Sequence, residues 1–215
     1  METKIILAID LGRYKSVLCW YDPDTRAAEF ATVTTTPEDI KRALVRSPVS
    51  IVVFEACTQA GWVHDLCEAT GLPTMVASTA GEAWQWSRVK RKTDRDDALK
   101  IARMAAINEI DPVAIPDRVT RQWKSLIGMR KRLVSERVRI QNRIRGLLVC
   151  QGLSTPRGFS AWSSTGMDSL TALSLPLPEC PPDQLWRGEL ALLVERYRYL
   201  EGHIAVAETR LDSIA

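Results

Sequence analysis

Short apolar runs separated by turn residues dominate the first part of the chain and predict strands. Residues 4–10 hold a continuous apolar run typical of a buried strand, and residues 16–22 and the alternating residues 27–34 follow on short connections. Three strands joined so closely predict an antiparallel meander. Thr36, followed by a proline, then predicts a helix over 37–46, because its hydroxyl can cap the free N–H groups of the first turn.

The next segment alternates strand and helix patterns. An apolar run at 50–55 predicts a second buried strand, a helix is expected over about 60–71, and residues 73–77 predict a short last strand. Residues 94–108 place small and apolar side chains on one face of a further helix. We therefore expect one α/β domain over residues 1–110.

A long basic helix is expected within residues 111–150, starting at about residue 120. One row of apolar residues repeats in it every seven positions: Leu126, Leu133, Ile140 and Leu147. The companion row is only partly apolar, since Arg130 and Arg137 precede Ile144 in it.

The remaining residues divide into a linker and a final helix. Residues 151–184 are rich in proline, glycine and serine, which predicts a linker with a short helical piece near 167–173. Within 185–215, nine apolar residues are spaced alternately four and three apart, as in a coiled coil. These nine residues, called the seam below, are Trp186, Leu190, Leu193, Tyr197, Leu200, Ile204, Ala207, Leu211 and Ile214.

The seam predicts an assembly. It extends along about 43 Å of helix at 1.5 Å per residue and cannot stay in water. It must pack against the basic helix, against a second copy of the chain, or both. Because Arg130 and Arg137 interrupt the basic helix, we expect a homodimer or a higher homo-oligomer formed through this coiled coil.

Composition narrows the class of protein. With 46% hydrophobic and 26% charged residues, the 215-residue chain is neither disordered nor a disulfide-stapled miniprotein. It shows no run of 18 apolar residues and no secretory signal, so we expect no membrane contact. The five cysteines form no C-x-x-C pair, and we expect free thiols in a cytoplasm.

Charge is concentrated in the middle of the chain. Residues 84–149 carry a net +10, against −4 for residues 1–83 and −3 for residues 150–215. Between Arg118 and Arg145 there are ten Lys or Arg residues and one acid, a ratio that favours a polyanionic partner over an ordinary solvated face.

The candidate nucleic-acid-binding residues are Arg88, Lys90, Arg91, Lys92, Arg121, Lys124, Arg130, Lys131, Arg132, Arg137, Arg139, Arg143 and Arg145. We expect phosphate contacts, so binding should weaken steeply with salt, and replacing Arg130, Arg137 and Arg145 should flatten that dependence. Trp84 and Trp86 precede the first four cations and can stack on unpaired bases or cover the edge of the sheet.

Four carboxylates carry the candidate chemistry. Asp10 and Glu55 end apolar strands, and Asp94 and Asp97 are three apart at the start of a helix. If the first and fourth strands are neighbours, the four can converge, and two Mg²⁺ or Mn²⁺ ions would offset their repulsion. Taken singly, each has an ordinary alternative: the acids of the helix complement its dipole, and Asp10 begins a turn.

Three motifs carry a family resemblance. Ile9-Asp10-Leu11-Gly12, Phe54-Glu55-Ala56-Cys57-Thr58 and Lys92-Thr93-Asp94-Arg95-Asp96-Asp97-Ala98 resemble those of the DEDD transposases, the recombinases of the bridge-RNA-guided insertion-sequence group, related to the pilin-gene invertases. The resemblance covers residues 4–150. It implies an α/β ribonuclease-H-like (RuvC-like) domain followed by a helical coiled-coil segment.

The resemblance also implies a function. By motif position, the catalytic, metal-binding tetrad would consist of Asp10, Glu55, Asp94 and Asp97. Asp96 fills a variable position of the motif, and its side chain should point away from the tetrad. The implied activity is Mg²⁺-dependent DNA strand cleavage and exchange directed by a structured guide RNA, in the cytoplasm of a bacterial or archaeal cell. The implied partners are donor and target DNA and the guide RNA.

One departure from the family is large. Its members continue into a second domain that supplies a serine thought to attack DNA, and no serine of this chain takes that role. We therefore expect an N-terminal portion that binds nucleic acid without completing strand exchange.

Three other functions remain open. The chain could be a metal-dependent junction nuclease that uses water, or a non-catalytic RNA-binding module. A remote alternative is an actin-like or sugar-kinase-like ATPase, since the segment from Ala8 to Gly12 resembles the first phosphate-binding hairpin of that superfamily.

Overall fold

One mixed β-sheet forms the centre of the first structural unit, Met1–Arg121. The structure is a computed structural model that describes residues 4–78, 93–154 and 158–214. The strands are β1 (Ile6–Asp10), β2 (Lys15–Tyr21), β3 (Ala28–Thr34), β4 (Ile51–Glu55) and β5 (Thr74–Ala77). Their order is β3-β2-β1-β4-β5, with β1, β2 and β3 antiparallel and with β4 and β5 parallel to β1. This is the ribonuclease-H-like arrangement that the sequence predicts.

Helices cover both faces of the sheet. They are α1 (Pro37–Leu44), α2 (Ala60–Ala69) and α3 (Asp94–Ala106). Successive side chains of a strand point to opposite faces. Leu7, Ile9 and Phe54 are fully buried on the face covered by α1 and α2, whereas Ala8 and Val53 are buried on the face covered by α3. The two strands that end in carboxylates therefore lie at the centre of a three-layer core.

The helix starts follow the sequence closely. Thr36 Oγ1 accepts a hydrogen bond from the backbone N–H of Asp39 (3.2 Å), and Pro37 takes the first helical position. α3 begins in the same way, with Thr93 as its N-cap. α2 ends before Gly71, whose φ of +72° suits glycine.

The turn between β1 and β2 is held in place by several contacts. A Cβ on Gly12 would lie 2.2 Å from the Lys15 carbonyl oxygen, so only glycine fits there. Thr35 Oγ1 is 2.9 Å from the Gly12 carbonyl oxygen and 2.8 Å from Ser16 Oγ, both within hydrogen-bond distance. The backbone N–H of Thr35 donates to the Tyr14 carbonyl oxygen (2.9 Å). The backbone of this turn is therefore fixed while its remaining side chains are free to face solvent.

Helices alone build the second unit, Gln122–Ala215. They are α4 (Arg118–Cys150), whose first residues belong to the first unit, α5 (Ser164–Leu173) and α6 (Leu185–Asp212), with short 3-10 turns at Gly158–Trp162, Leu177–Glu179 and Pro182–Gln184. Ile144 and Leu148 of α4 pack with Leu190 of α6 in one core, to which α5 adds Met167 and Leu170. None of the helices in the described residues is long and apolar enough to cross a membrane.

The seam is largely covered within a single chain. Six of its residues are at most 6% exposed: Leu190, Leu193, Tyr197, Leu200, Ile204 and Ala207. As expected, the basic helix does not cover these residues alone, because α5 packs on the same core. Arg130 and Arg137 do not leave it uncovered, because both bond to glutamates of α6 and because α5 contributes Met167 and Leu170 to the same core. Burial of the seam does not by itself require a second copy.

Candidate active site and nucleic-acid interface

The ends of β1 and β4 place two carboxylates on adjacent strands. Asp10 and Glu55 are the last residues of these parallel neighbours, and each directly follows the register pair Ile9–Phe54. By strand alternation both lie on the face that buries Ala8, which is the face covered by α3. The condition set by the sequence, that the first and fourth strands be neighbours, is met.

The first turn of α3 brings the other two carboxylates to the same face. Ala98 and Ile101 are fully buried against the sheet. Asp94 and Asp97 precede them by four residues each, and residues three or four apart share one side of a helix. α3 therefore carries Asp94 and Asp97 on the side that faces the sheet.

Electrostatics link three of the four carboxylates. The pKa of Asp10 is raised, first by burial of its half-buried side chain and then by the negative charges of Asp97 and Asp94. These two helix residues thus act directly on the strand residue. The register of β1 and β4 places Glu55 next to Asp10.

The donor set fits a hard divalent cation. All four candidates offer carboxylate oxygens, the ligands that Mg²⁺ and Mn²⁺ prefer. The pKa of Asp10 is raised by burial first and then by the negative charges of Asp97 and Asp94, which such a cation would offset. Asp10, Glu55, Asp94 and Asp97 would hold it.

Asp96 points away from this group, as predicted. Its side chain accepts hydrogen bonds from the backbone N–H (3.0 Å) and the hydroxyl (2.7 Å) of Thr93, which completes a capping box at the start of α3. These bonds lower the pKa of Asp96. The ordinary structural explanation is therefore correct for this aspartate.

A tighter group of potential ligands lies on α2 and was not expected. Among the described residues, His64, Asp65 and Glu68 have ligand atoms within 4.8 Å of one another, and the tetrad is less compact than this. His64 pairs with Glu68 at 3.5 Å, and Asp65 pairs with Arg121. These ion pairs within the protein give all three side chains a partner and so account for the group. The spacing of one and three residues along α2 is visible in the sequence.

Several cations of α4 have partners inside the protein. Three arginines bond to glutamates of α6: Arg130 to Glu208 (2.5 Å), Arg137 to Glu201 (2.6 Å) and Arg143 to Glu189 (2.8 Å). Arg196 of α6 bonds back to Glu136 of α4. The pairs run in opposite order along the two helices, so α4 and α6 form an antiparallel hairpin. The sequence does carry a signal for these pairs. Glu201 and Glu208 lie seven residues apart beside the seam, the same spacing as Arg130 and Arg137.

Two further candidates are also held internally. Arg121 donates to Asp65 and to the Pro116 carbonyl oxygen. The guanidinium of Arg145 lies 5.2 Å from the centre of the Trp162 ring. Of the α4 candidates, these two and the three paired arginines are therefore partly engaged before any ligand arrives.

Four other candidate cations of α4 have no such partner among the described residues. Lys124, Lys131, Arg132 and Arg139, called the outward cations below, are exposed and form no ion pair with any described residue. Their spacing of seven or eight residues places them on one face. The candidates Arg88, Lys90, Arg91 and Lys92, and with them Trp84 and Trp86, lie outside the described residues.

Comparison with known proteins identifies the group to which the chain is similar. A family model described as transposase, of the DEDD type of the IS110 group, matches residues 7–150. A Sinorhizobium fredii protein designated as transposase y4rJ is 28% identical over 172 residues, 77% of this chain and 42% of that protein. The transposase for insertion sequence element IS1111A of Coxiella burnetii is 30% identical over 163 residues, 71% of this chain and 41% of that protein.

Two solved structures also share similarity with the chain. They are T. thermophilus RuvC in complex with Holliday junction substrate (15% identity, TM-score 0.35) and the fowlpox virus Holliday junction resolvase (13% identity, TM-score 0.34). They cover 51% and 48% of this chain and 99% of their own chains. The chain spans about two fifths of the length of the curated relatives it matches. Since the family model covers most of its residues, the chain belongs to the IS110 family of DEDD transposases.

Proposed function

We propose that Asp10, Glu55, Asp94 and Asp97 bind divalent metal and cleave DNA strands during transposition directed by a structured guide RNA. The observation that carries this proposal is the placement of Asp10 and Glu55 at the ends of adjacent parallel strands, on the face that α3 covers with Asp94 and Asp97. The pKa of Asp10, raised by burial and then by the charges of Asp97 and Asp94, supports it. Family membership supports the reaction class.

The residues of the chain have distinct tasks in this reaction. Asp10 and Glu55 are fixed by the central strands, and Asp94 and Asp97 by a capped helix whose N-terminal dipole favours negative charge. They hold the negative charges in position before the substrate arrives. Bound Mg²⁺ or Mn²⁺ supplies stabilisation of the attacking and leaving oxygens of a phosphodiester.

Metal binding by matched aspartate variants tests the tetrad. We expect Asp94→Ala to weaken Mn²⁺ binding by at least an order of magnitude in titration calorimetry, because it removes a ligand. Asp96→Ala, two residues away, should bind Mn²⁺ as the parent does, since its carboxylate caps the helix. Equal Mn²⁺ affinities for the two variants would contradict the proposed centre.

Two other outcomes would favour a different function. Cleavage of branched DNA by this chain with Mg²⁺ alone would favour a junction nuclease that uses water. Tight RNA binding without any Mn²⁺ binding would favour a non-catalytic RNA-binding module. The remote ATPase alternative loses its support, because the chain belongs to a transposase family.

The outward cations are the proposed nucleic-acid contacts of α4. They are exposed and free of the glutamates that engage Arg130, Arg137 and Arg143. A polyanion can bind them by displacing mobile counterions, whereas the paired arginines would first have to leave a protein carboxylate. Structured RNA is the proposed ligand by membership of the family.

Two triple variants of equal charge test this assignment. Replacing Lys124, Lys131 and Arg139 by Gln should flatten the log–log salt dependence of binding to a labelled RNA stem-loop by about 0.7–0.9 per cation. Replacing Arg130, Arg137 and Arg143 by Gln should change this slope little, provided circular dichroism shows both variants folded. The reverse ranking would contradict the assignment, and tighter binding of a DNA duplex of equal length would contradict the preference for RNA.

A second copy of the chain is the proposed occupant of an exposed apolar row on α6. Leu185, Leu192, Tyr199 and Val206 repeat every seven residues beside the seam, and each is at least 52% exposed. Leu192 and Tyr199 line a groove of about 540 Å³ that also contains Leu133 of α4. A seven-residue repeat is what two identical helices need to pack along their length. The proposed dimer therefore rests on this row and not on the seam.

A further inference from the structure

A small cavity lies beside the ends of β1 and β4 and takes no part in the metal proposal. It measures about 460 Å³ and is lined by Leu11, Arg13, Cys57, Thr58 and Gln59. The first two residues follow Asp10 and the last three follow Glu55, so the cavity is built from the loops that leave the two carboxylate-bearing strands. Ligands of α/β sheets bind at this carboxyl edge.

The backbone of Arg13 is fixed on both sides. On one side the turn is held by Thr35, which bonds to the Gly12 and Tyr14 carbonyl oxygens. On the other, Gln59 Nε2 donates to the Arg13 carbonyl oxygen (3.3 Å) and so ties this turn to the loop after β4. A backbone ordered in advance lowers the entropy lost on binding.

The side chains carried by this turn suit a nucleotide. Arg13 is exposed, has no ion pair with any described residue, and holds its guanidinium 5.3 Å from the centre of the Tyr14 ring. Tyr14 is 71% exposed, so its ring is accessible to a stacking base. Guanidinium groups bind phosphate through two N–H groups, and aromatic rings stack on unpaired bases. The hydroxyl of Thr58 and the ammonium of Lys15, both exposed, add a donor and a second cation.

We propose that Arg13, Tyr14 and Thr58 bind one unpaired nucleotide of the DNA strand at the edge of the tetrad. Arg13 and Thr58 contact its phosphate in the cavity, and Tyr14 stacks on its base. The site rests on the proposed function, since it assumes that the strand to be cleaved lies across this edge of the sheet. It adds a positive, aromatic subsite to a centre whose other assigned groups are all negative.

Binding of a labelled 20-nucleotide single-stranded DNA, measured by fluorescence anisotropy in EDTA, tests the subsite without cleavage. Arg13→Gln should weaken binding and flatten the salt slope by about 0.7, the value for one phosphate of a single strand. Tyr14→Ala should weaken binding about tenfold at every salt concentration with the slope unchanged, since stacking is not ionic. Tyr14→Phe should bind as the parent does.

The matched control is Lys41→Gln, which removes an exposed cation of α1. If Arg13→Gln and Tyr14→Ala bind the strand as this control does, or if the parent does not bind it, the subsite is wrong. Failure of the metal centre is seen separately, as equal Mn²⁺ affinity of Asp94→Ala and Asp96→Ala. The substituted side chains are exposed, and an unchanged thermal midpoint will show that the variants are folded.

Discussion

The metal-free folded protein is less stable when Asp10 is ionised than when Asp10 is protonated. Burial and the neighbouring Asp97 and Asp94 raise its pKa above the unfolded value, so the folded state binds a proton more readily. Ionised Asp10 therefore destabilises the metal-free fold above its folded pKa, and this effect disappears as the pH falls below the ordinary carboxyl pKa. Metal binding at the proposed centre would offset this cost.

Asp10→Asn tests this sign. In EDTA at pH 7.5 the variant should have a higher thermal midpoint than the parent, and the difference should shrink toward zero as the pH is lowered through 4. Adding Mn²⁺ should raise the midpoint of the parent and not of the variant, because binding to the folded state alone stabilises it. Thr93→Ala is the contrasting variant. Its free energy of unfolding should fall by about 1 kcal/mol at pH 7.5 and at pH 4 alike, because it removes the N-cap of α3. A lower midpoint for Asp10→Asn in EDTA at pH 7.5 would contradict the argument.

The cysteines give a second prediction at this scale. Burial raises the pKa of Cys19 and of Cys67 to about 11, while Cys57 and Cys150 are exposed. Thiolates are the reactive species, so iodoacetamide at pH 8 should label Cys57 and Cys150 in the native protein and reach Cys19 and Cys67 only after denaturation. Mass spectrometry of the peptides measures this, and rapid native labelling of Cys67 would contradict the buried core beneath α2.

Among the elements, the α4–α6 hairpin is where polar residues were hardest to interpret from sequence. The heptad row identifies Leu133 and Ile140 as core-facing, and it made Arg137 look like an interruption. In the fold, Arg137 is half-buried and bonds to Glu201. A long arginine side chain can cover apolar surface with its stem while its charged end meets a partner. One sequence shows the charge but not the partner on a helix more than 60 residues away.

Arg137→Ala should therefore destabilise the hairpin. It removes both the ion pair and the packing of the stem, an expected loss of about 1–2 kcal/mol in urea unfolding followed by circular dichroism. Lys131→Ala, at an exposed position of the same helix, should change stability by no more than about 0.5 kcal/mol. Equal effects of the two substitutions would show that Arg137 does not support the hairpin.

For the molecule as a whole, much of the organisation could be predicted from the sequence. The strands, the cap at Thr36 and the position of Asp10 at a strand end follow from local patterns that short-range physics decides. The adjacency of β1 and β4, on which the tetrad depends, is a long-range pairing, and the sequence could state it only as a condition. The coverage of the seam by α5 and the pocket beside Arg13 depend on tertiary contacts with no periodic signal.

The proposed dimer is tested at the scale of the whole molecule. Leu192→Glu combined with Tyr199→Glu should convert a dimer to a monomer in multi-angle light scattering at micromolar concentration, because both side chains are exposed within the apolar row. Val149→Glu places the same charge at an exposed position of α4 and should leave the mass unchanged. A monomeric parent chain would overturn the dimer.

The ion pairs between α4 and α6 also determine how the two helices can align. An apolar repeat of seven residues looks the same after one helix slides by seven, so the seam alone would tolerate several alignments. After one such slip Arg130 would oppose Glu201 and Arg137 would oppose Val194. That slip leaves the half-buried guanidinium of Arg137 beside an apolar side chain. The same arginines that weaken the apolar row therefore single out one alignment of the hairpin.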